Sequence, residues 1–527
     1  MRFSVLWIGM LLLLTGCNLA SASPTAPAIT VSPIIVTATP QEQVALATTQ
    51  APQSTSTVTN TPTPSNTPTV TNTPTVTFTP SITPTASITP AQPIFFNTDR
   101  FDLATVPEFL QQGSNTPLIV FANSNDRATV TNASTAQPEN TRQIVYVTSP
   151  GSLQRTQILE IQSSDSNRFY PAPNGVGMAY FVSGLNAGLY VLNFAPVEGT
   201  TFTARLWTTS TLIQRGILSE PVWTPDGEFI AIAQQTAYDM DIFFYSRDTR
   251  QRLNITDHPS FDMYPSFSPD GRFMAFVSDR ARCASWNPAD DGACDALTQE
   301  TPIGGTVHLL DRHSGDVRQL SDVYVTEAPR WLNNTRLVFA GGDQTDLLNP
   351  SRSLWLADVT TNEVQEIRLT ADLQEDSVLY LADAWSDDGQ QVIFQRVTAS
   401  SNEIILADVN GNLVARPNTD LSFPRFGVRM DWSNVAGRIA VGGTGGRCPY
   451  GVRVLDTNLE AVATGNDPSI CDPIYSPDGR SLVFTGLTSD VDGQSDIYSA
   501  TANGFSAANL TADLRGTNVL IGWLGTR

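Results

Sequence analysis

The sequence predicts an all-β chain, a β-propeller of four-stranded blades carried behind a Thr/Pro-rich stalk. Three observations lead there. An aromatic anchor, a Pro-Asp-Gly or Asp-Asp-Gly turn and an apolar run recur together at Trp223–Ala233, Phe267–Ser278, Trp385–Gln395 and Tyr475–Thr485. Each copy is followed by a second short strand-like run, such as Asp241–Asp248 or Asp496–Gly504, and then by a piece that often closes in Leu-Thr, as at Leu369-Thr370 and Leu510-Thr511. The anchors return at intervals of roughly forty to sixty residues, a period that suits four short strands per repeat.

The turn has a mechanism. Pro pre-sets φ for the first central position, Asp bonds the local backbone, and Gly takes the left-handed position that a bulged hairpin needs. The run after it, Phe273–Val277, is apolar without alternation, which suits a short strand buried on both faces. Weaker copies stand at Ala172–Val182, Trp331–Gly341 and Trp432–Gly442. Near the end, Val519–Trp523 reads as one more strand leading into an anchor. Its partners are expected at Pro117–Asn123, Arg142–Ser149 and Ser152–Leu159, so that the C-terminal strand completes the first blade and removes a free sheet edge. Counting Ala172, the six aromatic anchors and Trp523 gives eight blades, with seven the alternative if the early segment is not a full blade.

Phe261–Ser278 (FDMYPSFSPDGRFMAFVS) and the DIFFY and DIYS strands resemble the TolB-type, WD40-like propeller repeat, whose consensus is roughly Pro-x-Trp-Ser-Pro-Asp-Gly, an apolar strand, then Asp-Ile-Tyr. The same repeat occurs in propellers of the prolyl-oligopeptidase type. The resemblance covers about 165–527 and implies the fold. It implies little about function, because the repeat serves many roles. No Gly-x-Ser-x-Gly elbow is present, and no α/β-hydrolase domain is expected beside the propeller, so peptidase activity does not carry over. The N-terminal α/β domain of TolB is replaced by the stalk.

The expected domains are 1–17, 18–93 and 94–527. Met1-Arg2 and the apolar Val5–Leu14 form a short export signal, and Leu14-Thr15-Gly16-Cys17 resembles a bacterial lipobox. That resemblance implies cleavage before Cys17, lipid on its sulfur, and a mature protein anchored to a membrane of the cell envelope. Residues 18–93 are Thr, Pro, Ser, Ala and Val with almost no charge, a composition that cannot bury a core. A Pro-rich chain favours extended polyproline II, about 3.1 Å per residue, so this segment is expected to act as a disordered spacer.

The net charge is −21, and every basic residue is Arg. The acidity argues against nucleic acid as a partner, and the lack of Lys excludes Schiff-base chemistry within the chain. Five Cys fit an exported protein. Cys17 takes lipid. Cys283 and Cys294 bracket an insertion and are expected to pair. Cys448 and Cys471 sit where they would bridge neighbouring blades; reduced thiols or a metal site are the alternatives.

Of the three His, His258 lies in a linker between blades, His308 in a strand and His313 in a turn, with no shared local pattern. Gly442–Arg447 is Gly-rich but lacks the P-loop Lys, and reads as a hairpin. Asp490, Asp492 and Asp496 have the spacing of calcium ligands without the bidentate Glu of an EF-hand, and an acidic turn is the plainer reading. The insertion Asn287–Glu300, with Asp290, Asp291 and Asp295, is similarly ambiguous. No catalytic constellation emerges. The function expected is therefore a non-catalytic module that binds protein or peptide at the envelope. The alternative is a carbohydrate-active propeller enzyme, lyase or hydrolase, using acidic residues of the central funnel.

Overall fold

The structure, a computed structural model, describes residues 94–95, 100–102 and 117–525, less 125–140, 164–167, 183–186, 195–201, 208–211, 215, 250, 342–352, 371–378, 398–401, 418–427, 444–452, 464–467 and 488–494. All of these fall in one compact unit, Ile82–Arg527. The signal, Cys17 and the stalk lie outside the described residues.

Every regular element described is a β-strand. The described strands form antiparallel sheets of two to eight strands, which divide along the chain into four-stranded units, numbered below as blades. Blade one combines Thr517–Leu524 with Leu118–Ser124, Thr141–Thr148 and Arg155–Ser163. Blades two to four begin at Arg168, Val222 and Asp262, and blades five to eight at Arg330, Leu379, Val428 and Cys471. Blades four and five are linked by a single bridge, Val325 to Gly341, and blades seven and eight by Gly443 to Cys471. In blade one, Ile119 faces Trp523 and Ser124 faces Thr517, so the two ends of the propeller segment share a sheet.

The second strands are short apolar runs, because they are covered on both faces by adjacent blades. Met274–Ser278 and Ile230–Ala233 are buried throughout. The core clusters run from blade to blade. One joins blades one and two, the next blades two and three, and a larger one spans blades three to five. The series continues through blades five to eight and ends with Val483 and Ile497 of blade eight against Ile119 and Phe121 of blade one. Burying each such side chain contributes roughly 1.5–3 kcal/mol.

The hairpin joining first and second strands is built as its residues dictate. Ser268 Oγ donates to Asp270 Oδ1 at 2.6 Å and accepts from Phe273 N at 2.9 Å, while Gly271 holds φ at 71°. The same bonds recur around Ser386 and Ser476. Neighbouring hairpins touch. Asn334 Oδ1 accepts from Asp270 N at 3.0 Å, and Asn434 Nδ2 donates to Asp387 Oδ1 at 2.7 Å.

Two short strands lie outside the sequence expectation. Ile94–Phe95 pairs with Gln251–Arg252 on the outer strand of blade three, and Arg100–Asp102 pairs with Phe202–Ala204 on that of blade two. They give those blades a fifth strand and cover open edges.

Candidate functional site

First strands of adjacent blades approach one another, so they form the inner wall. Their polar residues are the natural place to look for a site. Asp431 of blade seven is half-buried and accepts from Tyr475 N of blade eight at 2.6 Å. Burial raises its pKa, while the charges of Arg330 and Arg429 pull it down.

Two first strands are strained at equivalent points. Tyr264 and Asp472 hold φ at 54° and 47°, each directly before a Pro and inside a register shift. Such conformations cost on the order of 1–3 kcal/mol each. The bulges re-aim both side chains. Tyr264 Oη donates to Ile303 O at 3.1 Å, and Asp472 accepts from Arg429 at 3.2 Å.

The densest group of buried titratable side chains lies in blade four, at the end away from its Ser-Pro-Asp-Gly hairpin. Asp262 opens the first strand, Arg280 follows the second and His308 sits in the third. Asp262 is wholly buried and its Oδ2 meets Arg280 Nη2 at 2.6 Å, while its Oδ1 makes no well-formed hydrogen bond. Burial pushes its pKa up to about 7 against the pull of Arg280 and Ser278. Burial likewise lowers His308 to about 4 and His258 to about 4, the latter helped by the charge of Arg280. His258 Nδ1 is buried without a partner. The fold thus gathers two of the three His; His313 N bonds Asp311 Oδ1 in a turn at the far end of the third strand. Chemically, the group can hold a proton on a carboxyl near neutral pH beside a fixed guanidinium.

The insertion between the second and third strands of blade four covers this group. Cys283 and Cys294 are disulfide-bonded, as expected. Trp286, missed in the sequence reading, is the insertion's buried anchor. It packs edge-on against Phe261 at 5.4 Å, and its Nε1 donates to Asp279 Oδ2 at 2.8 Å. Cys471 is also disulfide-bonded, and its expected partner Cys448 lies outside the described residues.

Of the calcium candidates, Asp490 and Asp492 lie outside the described residues. Asp496 does not; its Oδ1 accepts from Thr511 Oγ1 at 2.7 Å and Asn518 Nδ2 at 3.2 Å, and its Oδ2 from Asn509 Nδ2 at 2.8 Å. In the insertion, Asp290 accepts from Ser285 Oγ at 2.6 Å and Asp295 from Leu297 N at 2.9 Å. Among the described residues no group of three or more His, Cys, Asp or Glu is arranged to hold a metal ion. Gly442 and Gly443 end a strand, and 444–447 lie outside the described residues. On the hairpin side, a cavity of about 310 Å³ is lined by Pro173, Asn174, Val222, Trp223, Pro225, Phe267 and Pro269.

No family model matches the chain. A protein TolB homolog of Chlorobium luteolum is 32% identical over 111 residues, 21% of this chain and 23% of that protein, so the chain spans under a quarter of that relative. Among solved structures, an oligogalacturonate lyase from Vibrio parahaemolyticus is 13% identical, with 73% of this chain and 97% of that one covered and a TM-score of 0.41. TolB from Acinetobacter baumannii is 14% identical, with 77% and 82% covered and a TM-score of 0.30. The chain is an all-β propeller with a TolB-like repeat.

Proposed function

We propose that this chain is a lipid-anchored, extracytoplasmic propeller that binds protein or peptide at the cell envelope and catalyses no reaction. The observation that carries the reading is the TolB-like identity over 111 residues, set on a propeller fold. The lipobox at Leu14–Cys17 and the uncharged stalk to residue 93 support the anchor and the spacer. The inner-wall carboxylates support a structural use of acid, since Asp262 is held by Arg280, Asp431 by Tyr475 N, and Asp472 by Arg429.

Two experiments test it. Labelled fatty acid enters the full chain and is lost in Cys17→Ala; persistent labelling of the variant sinks the anchor. The full chain, immobilised in detergent, captures a reproducible partner protein from solubilised envelope. Turnover of any glycan in a substrate panel would instead favour the carbohydrate-active alternative, for which the raised carboxyls of Asp262 and Asp431 are the starting candidates.

A further inference from the structure

The first strand of each blade runs toward its hairpin, so the loops between second and third strands and the linkers between blades share the opposite face. On blades three and four that face is elaborated. The linker into blade three forms a small hairpin, Ile213–Gln214 against Ile217–Leu218. Gln214 Oε1 accepts from Gln235 N, at the turn that carries Tyr238, at 2.7 Å. A Cβ on Gly216, at the hairpin's tip, would lie 4.0 Å from Ile303 of the disulfide-bonded insertion. Ile303 is in turn fixed by Tyr264, and the insertion by the buried Trp286. Three loops from two blades therefore form one braced surface.

This surface exposes large apolar side chains. Leu297 is 96% exposed, Ile213 56%, Tyr238 49% and Leu218 38%, and Ile213 and Leu218 are directly paired across the hairpin. They are four of the ten large apolar residues exposed among those described, and the other six are spread over four other blades. A concentration of this kind marks an interaction site, whereas single exposed apolar residues need no explanation. The charge is one-sided. Segment 283–304 holds Asp290, Asp291, Asp295 and Glu300 and no basic residue. At its root Arg280 is committed to Asp262, and Arg282 lies over Tyr324 at 5.5 Å. The hairpin contributes one base in sequence, Arg215.

We infer that this face of blades three and four docks a cationic, apolar-tipped segment of another protein. The carboxylates draw the partner in, and Leu297, Ile213, Leu218 and Tyr238 seat its apolar residues. A second copy of this chain is a poor occupant, because its net charge is −21 and it has no Lys. An anionic lipid surface is repelled in the same way. The inference rests on the protein-binding reading above and names the face and the partner's chemistry.

The test uses the full chain and two labelled peptides of equal length, one alternating Leu and Lys and one alternating Leu and Glu, followed by fluorescence anisotropy. The Leu/Lys peptide binds saturably, at least about tenfold tighter than the Leu/Glu peptide. Leu297→Ser with Ile213→Ser weakens it at least about fivefold, as does Asp291→Asn with Glu300→Gln, while Phe505→Ser, equally apolar and elsewhere, leaves it unchanged. Unchanged melting of each variant shows that the fold is kept. Equal binding of the Leu/Lys peptide by the wild type and the Leu297→Ser, Ile213→Ser variant overturns the inference. So does equal binding of the two peptides. An envelope partner whose capture ignores both pairs of substitutions also overturns this face, yet leaves the protein-binding reading standing; glycan turnover without a partner removes the reading itself.

Discussion

Blades three and eight enter their third strand in the same way, and blade four does not. In blade three Asp241 accepts from Asn254 Nδ2 at 2.7 Å, Thr256 Oγ1 at 3.1 Å and His258 N at 3.0 Å. In blade eight Asp496 accepts from the matching Asn509 and Thr511, and from Asn518. In both, the Thr hydroxyl also accepts the backbone N–H after the Asp, at 3.0 Å. One carboxylate thereby ties the third strand, the fourth strand and the start of the next blade. Blade four begins its third strand with Gly305, and the carboxylate moves to Asp279 at the end of the second strand, where it holds Phe261 N at 2.7 Å and Trp286 at 2.8 Å. The exchange frees the loop between the strands to grow into the braced insertion. A repeat can thus change its surface by relocating a buried clamp while keeping its framework.

Three measurements would break or sharpen that comparison. Gly305→Ala should have the largest effect, since a Cβ there would lie 2.1 Å from Ser278 O. Neither backbone can yield, and a loss of roughly 3 kcal/mol or more is expected in denaturant unfolding. An unchanged midpoint would show that blade four is looser than its geometry. Asp241→Ala and Asp496→Ala should each cost about 2–3 kcal/mol, because each strands buried donors. Similar losses in both would establish the clamp as a shared device; a loss in only one would make it local.

The third expectation is a pH dependence peculiar to blade four, in which two groups of opposite sense offset one another in the wild type. Asp262, raised to about 7, keeps a proton in the native state that the unfolded chain sheds near 3.8. The stability this contributes is full below that value and lost as pH rises through 7. His308, lowered to about 4 from 6.5, acts in the opposite sense, contributing stability above 6.5 that is lost as pH falls through 4. Unfolding curves between pH 4 and 8 should show Asp262→Asn gaining on the wild type as pH rises, and His308→Gln gaining as it falls. Parallel curves would remove the buried group as a titrating unit.

Much of the framework was legible from the repeats. The Ser-Pro-Asp-Gly turn writes its own hydrogen bonds, and the doubly buried second strands show as unbroken apolar runs. The Leu510-Thr511 ending was visible too, but not its purpose, because the Asp that Thr511 bonds lies some fifteen residues upstream in another strand, as it does for Thr256. The group around Asp262 was illegible for a related reason. His258 comes from the linker into blade four and His308 from its third strand, fifty residues apart, and only the sheet packing gathers them. Trp286 was hidden in an acidic, Pro- and Gly-bearing segment that reads as exposed loop. Ile94–Phe95 and Arg100–Asp102 gave no signal, since such short edge strands need no alternating pattern.

The pairing of Thr517–Leu524 with Leu118–Ser124 also sets an order of assembly. A chain made or threaded from its N-terminus presents Leu118–Ser124 early, and that strand must wait for almost four hundred later residues before its open edge is paired. The first blade to emerge is the last to be finished. Until then it is an apolar, unpaired edge of the kind that recruits strands from other molecules. Losing the last strand would leave that waiting state permanent, and the yield of soluble protein should fall.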